Sequence, residues 1–154
     1  KQKNNKTSDE DEFANFEFNA YFEYYIPKNY IADDISRLII YRKLTNAKNS
    51  TEIKDIIYEI SDRYGNYPYE VTNLINLLQI KIKSINFGII KINIQKNIID
   101  LTFASVSEKL SLILINMVQD NFIKMKSQNS IQIRNTQNKD LFYSINLFYK
   151  KLGL

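Results

Sequence analysis

The chain has 154 residues, the size of one domain with a real core and too short for a motor or a multidomain enzyme. It contains no Cys and no His, which removes thiol nucleophiles, imidazole acid/base chemistry, catalytic triads and nearly every zinc site. The net charge of +4 hides an asymmetry: residues 1–77 carry 10 bases and 13 acids (−3), and residues 78–154 carry 11 bases and 4 acids (+7).

Residues 1–12, KQKNNKTSDEDE, hold no large apolar side chain and end in four acids, so they read as a disordered tail or linker ahead of a single domain over 13–154. From Phe16 to Ile26 the pattern has period two, with Phe16, Phe18, Ala20, Phe22, Tyr24 and Ile26 on one side, which predicts a long half-buried strand stopped by Pro27. Asp33 is placed to cap a first helix that turns Ile35, Leu38, Ile39, Tyr41 and Leu44 inward. A second helix begins near Ser50 and Thr51, with Ile53, Ile56, Ile57 and Ile60 on one face and Glu52, Asp55, Glu59 and Asp62 opposite, and Gly65 closes it. A third begins at Pro68, buries Val71, Leu74, Ile75, Leu78, Ile82 and Ile85, and stops at Gly88.

The second half changes period. Ile90, Ile92 and Ile94, then Ile99, Leu101 and Phe103, alternate with polar residues as a hairpin around Lys96-Asn97. Ser105 and Glu108 have the form of a capping box for an apolar helix holding Leu110, Leu112, Ile113, Leu114, Ile115, Met117 and Val118, which is expected to be largely buried. A second hairpin sets Ile123 and Met125 against Ile131 and Ile133, and a last helix carries Leu141, Ile145, Phe148 and Leu152 on one side. The order predicts an α+β domain: an N-terminal strand, a three-helix segment, then β-β-α-β-β-α with an antiparallel sheet.

No catalytic, cofactor or metal residue stands out. Three glycines, Gly65, Gly88 and Gly153, build no phosphate loop, and the acidic stripe of the second helix reads as a solvated face. Ile, Asn, Lys, Tyr and Phe, all with A/T-rich codons, make up 81 of 154 residues, so lysine abundance says little about partners. The basic set Lys81, Lys83, Lys91, Lys96, Lys124, Lys126 and Arg134 nevertheless keeps a nucleic-acid-binding module as the alternative function, and a small Tyr/Lys/carboxylate enzyme as a weaker one. Arginine is scarcer: Arg37, Arg42 and Arg63 fall in the acidic half, and Arg63 shares a helix edge with Glu59 and Asp62 as a candidate ion-pair and recognition patch. No apolar run is long enough for a membrane span, which reads as a soluble, cytoplasmic chain, and the start at Lys1 reads as a piece of a longer parent.

Three separated strings, Ile26-Pro27-Lys28-Asn29-Tyr30-Ile31, then Arg37-Leu38 through Tyr41-Arg42-Lys43-Leu44, then Glu59-Ile60-Ser61-Asp62-Arg63-Tyr64-Gly65 with Pro68, resemble in order and spacing the C-terminal domain of bacterial transcription-repair coupling factor. Ser61 and Tyr64 depart conservatively from that pattern. The resemblance implies a monomeric, non-enzymatic regulatory domain without cofactors of its own. Its parent would be an ATP- and magnesium-dependent, helicase-like translocase on double-stranded DNA that displaces stalled RNA polymerase and recruits nucleotide excision repair through UvrA. It further implies that the domain packs on a UvrB-like N-terminal module of the same chain and masks its UvrA-binding surface through Glu59, Asp62 and Arg63. Arg37 and Arg42, singled out by the scarcity of arginine and not by the resemblance, are candidate supporting interface residues.

Overall fold

Residues 22–83 and the remaining described residues form two compact units in the computed structural model, which describes residues 15–134 and 140–153. The tail expected over residues 1–12 lies outside the described residues.

The helical unit contains α1 (Asp34–Asn46), α2 (Ser50–Tyr64) and most of α3 (Tyr69–Asn86). Each start has a local cause. Asp33 Oδ2 accepts from the Ser36 amide at 2.8 Å, Asn49 Oδ1 accepts from the Glu52 amide at 2.9 Å, and the Pro68 carbonyl takes the first bonds of α3 from Val71 and Thr72. Glu52 also reaches back to the Lys48 amide at 2.7 Å, so α2 opens on a reciprocal cap. The helices bury one cluster of Ile40, Leu44, Ile53, Ile60, Val71 and Ile75, completed by Ile26 and Ile31 from the preceding segment.

The expected inward face of α1 is corrected here. Ile40 and Leu44 are buried, whereas Ile35, Leu38 and Ile39 are exposed, Ile35 at 68%. The helix carries two apolar stripes, and its rotation is set by Tyr41 and Arg37, whose bonds to the Ile26–Ala32 segment turn the Ile40 side inward. Leu77 and Ile80 on α3 are buried as well, beyond the expected set.

The second unit is a five-stranded sheet in the order β1-β2-β3-β5-β4, built from β1 (Glu17–Ala20), β2 (Ile89–Ile94), β3 (Ile98–Phe103), β4 (Ile123–Met125) and β5 (Ser130–Arg134). Its helices are α4 (Glu108–Gln119) and α5 (Leu141–Lys151). β1 pairs parallel to β2, and every other pairing is antiparallel. Period two places Ile92, Ile94, Ile99, Leu101, Phe103, Ile123, Ile131 and Ile133 on one buried face, and α5 contacts β3 and β5. The buried Ser84 hydroxyl and the Tyr149 phenol hydrogen-bond, and Phe87 stacks on Tyr149 at 5.8 Å. Burial raises the Tyr149 pKa, and the Ser84 bond partly offsets that shift.

The α+β class and element order agree with expectation, but four details differ. β1 stops at Ala20 because its partner β2 ends at Ile94, whose carbonyl takes the last bond, from the Tyr21 amide. Beyond it the alternation breaks at the exposed Tyr24, and Ile26 joins the helical core. In β2 the register shifts between Ile89 and Lys91, so the bulge buries Ile89 and exposes Ile90. The cap of α4 is Ser107, whose Oγ accepts from the Leu110 amide at 3.1 Å, rather than Ser105. On α4 only Leu114 and Met117 are fully buried, and Leu112 and Ile115 face outward.

Two substitutions test this local reading. Asn49→Ala removes the α2 cap and is expected to lower stability by about 1 kcal/mol in chemical denaturation. Gly65 sits at φ 83 and ψ −164, a region essentially reserved for glycine, with no atom within 4 Å of where a Cβ would stand. Gly65→Ala is therefore expected to cost about 1–3 kcal/mol by backbone strain alone. Stability equal to the parent chain in either variant contradicts the assignment.

Candidate functional site

The three strings singled out in the sequence meet within the helical unit. Pro27 O accepts from the amides of Tyr30 and Ile31, both at 3.1 Å, and this turn sends Ile26 and Ile31 into the core. The Ile26 amide donates to Tyr41 Oη at 2.6 Å, tying the first string to the second. Arg37 Nη1 donates to the carbonyls of Ile31 at 2.7 Å and Ala32 at 3.1 Å, while its other terminal nitrogen pairs with Asp34. The third string is tied by Tyr30 Oη, which donates to Gly65 O at 2.8 Å. The Gly65 amide in turn bonds Ser61 O at 3.0 Å and closes α2. Tyr30 and Tyr64 stack edge to face at 6.1 Å.

This stitching holds the last turns of α2, where Glu59, Asp62 and Arg63 are exposed. Both Glu59 carboxylate oxygens accept from Lys43 Nζ of α1, at 3.0 and 3.1 Å, with both side chains about half exposed. The Arg63 guanidinium lies 5.3 Å from the centre of the Tyr64 ring. Between the two helices runs a shallow groove of about 100 Å³, lined by Ser36, Ile39 and Lys43 of α1 and by Ile56, Glu59 and Arg63 of α2. At its α1 end Asp33 is held below the usual carboxylate range, first by its hydrogen bonds from Ser36 Oγ and N and then by the charges of Arg37 and Arg63. The arrangement offers a slot, lined by polar and apolar groups in about equal measure, between a carboxylate–ammonium pair and a guanidinium.

The remaining candidates fall elsewhere. Arg37 keeps only 13% of its side chain exposed, and its guanidinium is engaged with its own unit. Arg42 is exposed on α1. Lys43 was not among the expected site residues, because its pairing with Glu59 spans 16 positions and leaves no local signal. In the second unit Lys91 pairs with Glu17 at 3.3 Å and Lys126 with Asp100 at 3.2 Å, and Asp100 also accepts from Gln132. Lys81 is partly buried and its pKa is lowered by that burial, whereas Lys83, Lys96, Lys124 and Arg134 are exposed. Among the described residues no group of three or more acidic side chains is placed to hold a metal ion, and no helix is long and apolar enough to cross a membrane.

Comparison with known proteins follows this geometry closely. The family model of the TRCF domain matches residues 21–111, which contain all three strings and the α2 edge. The transcription-repair-coupling factor of Staphylococcus aureus (strain USA300) is 34% identical over 92 residues, covering 60% of this chain and 8% of that protein. The transcription-repair-coupling factor of Staphylococcus haemolyticus (strain JCSC1435) is 34% identical over 65 residues, covering 42% of this chain and 6% of that protein. The chain thus spans under a tenth of the length of these relatives. A crystal structure of the C-terminal domain of transcription-repair coupling factor superposes with a TM-score of 0.70 at 21% identity, over 90% of this chain and 91% of that one. A family model matched over more than half of the chain, together with a shared fold, shows that the chain belongs to the TRCF domain family.

Proposed function

We propose that this chain is the regulatory C-terminal domain of a transcription-repair coupling factor. In this reading its α2 edge, Glu59, Asp62 and Arg63, docks on a UvrB-like N-terminal module of the same parent and covers the surface that binds UvrA. The parent then supplies the chemistry: ATP- and magnesium-dependent movement on double-stranded DNA, displacement of stalled RNA polymerase, and recruitment of excision repair. The observation that carries the reading is the exposure of these three charged residues on a helix edge that the three strings hold in place.

Energetics favour recognition over stability at this edge. Exposed ion pairs contribute about 0–1 kcal/mol, so a pair such as Lys43–Glu59 is a weak reason for placing charge there. A contact that must open suits such residues, because tethering supplies an effective concentration around millimolar and little intrinsic affinity is needed. Masking and UvrA then compete for one surface, and the apparent affinity for UvrA is the intrinsic affinity multiplied by the fraction of molecules in the open form.

Substitution of Glu59, Asp62 and Arg63 by Ala in the full-length parent tests this. Binding of UvrA without polymerase is expected to strengthen at least about fivefold, the low end of typical coupling between sites. The stability of the present chain should change by no more than about 1 kcal/mol. Unchanged UvrA affinity, measured by titration of the purified proteins, overturns the assignment of these residues.

A further inference from the structure

We propose that the exposed apolar stripe of α1, Ile35, Leu38 and Ile39, is the centre of the docking surface whose charged edge is Glu59, Asp62 and Arg63, and that the N-terminal module of the parent covers it. This inference rests on the docking role given to the α2 edge and adds the residues that carry its affinity.

The stripe is contiguous with the charged edge. An α-helix turns about 100° per residue, so Leu38, Ile35 and Ile39 fall within one arc of roughly 100°, with the exposed Arg42 inside it. Ile35 is 68% exposed, Leu38 50% and Ile39 48%. Next round the helix after Ile39 come Lys43 and Ser36, and all three line the groove shared with Glu59 and Arg63 of α2. The charge of Arg63 also acts on Asp33, which places the guanidinium near the start of α1, two residues before Ile35. Apolar stripe, groove and charged edge therefore form one continuous surface. The hydrogen bonds of Tyr41 and Arg37 to the Ile26–Ala32 segment fix the rotation that keeps this arc outside.

The division of labour follows from interface energetics. Isolated exposed aliphatic side chains are ordinary, but a contiguous apolar patch rimmed by charge marks a protein contact. Exposed charges at a rim set specificity and encounter rate and contribute little affinity. Affinity comes from apolar side chains that lose water at the centre of the patch. The α2 edge offers only charge, and the stripe beside it supplies three aliphatic side chains that the unit's own core leaves in solvent. The occupant that matches this surface presents apolar side chains to α1 and polar groups to Arg42, Glu59 and Arg63.

Two measurements on the full-length parent test this. The Ile35→Gln/Leu38→Gln/Ile39→Gln variant keeps good helix formers on α1 and removes only the apolar surface. Its binding of UvrA without polymerase is expected to strengthen at least about fivefold. If the Ala variant of Glu59, Asp62 and Arg63 strengthens UvrA binding and the Gln variant does not, the stripe is overturned while the α2 edge stands. The reverse result supports the stripe and overturns the charged residues, and no effect of either overturns both. The second measurement replaces Leu38 alone with the photo-crosslinker p-benzoylphenylalanine, so it stands whether or not the triple variant folds. A crosslink to the N-terminal module of the same chain is expected. A crosslink to a second copy, to another part of the parent, or to nothing overturns the proposal.

Discussion

The hydrogen bond from Tyr30 to the Gly65 carbonyl is the constraint on which the helical unit depends. It exists only because Gly65 leaves α2 at φ 83 and ψ −164, a conformation that turns the chain abruptly and that a side chain would strain. Tyr30 can reach it because Pro27 sets a tight turn before it, and that turn is held by Tyr41 and Arg37 of α1. Burial, followed by the neighbouring Tyr67 and Tyr64, raises the Tyr30 pKa, so its hydroxyl remains a donor across the physiological range. Three stretches far apart in sequence thus define one rigid corner.

That corner separates residues bonded within the unit from charged residues left exposed on it. Ile26, Tyr30, Arg37, Tyr41 and Gly65 lie within the range matched by the family model and are bonded within this corner. Their bonds give each string a structural role that does not require any of them to bind a partner. Glu59, Asp62 and Arg63 stay exposed on the same helix, where the proposed docking edge lies. Arg37 illustrates the distinction: its planar fork is suited to an interface, yet it is directed to the Ile31 and Ala32 carbonyls.

Much of this was legible before any coordinates. Period two placed the buried faces of β3 and β5, period 3.6 placed Leu141, Ile145 and Phe148, and Gly65 and Gly88 marked helix ends. What escaped has physical causes. α1 has apolar residues on more than one side, so periodicity alone does not choose between them, and distant hydrogen bonds do. A single bulge in β2 inverts the order of Ile89 and Ile90. α4 exposes Leu112 and Ile115 although its composition suggests a largely buried helix. The pairing of Lys43 with Glu59 depends on folding, and no local spacing announces it.

Native-state hydrogen exchange on Tyr30→Phe tests the central claim most directly. Loss of one hydroxyl bond, worth about 1 kcal/mol, should raise exchange roughly fivefold at the Gly65 amide and its neighbours in the last turn of α2, while the sheet amides of β3 and β5 keep their protection. Unchanged exchange at Gly65, or a uniform rise through helices and sheet alike, would contradict the account.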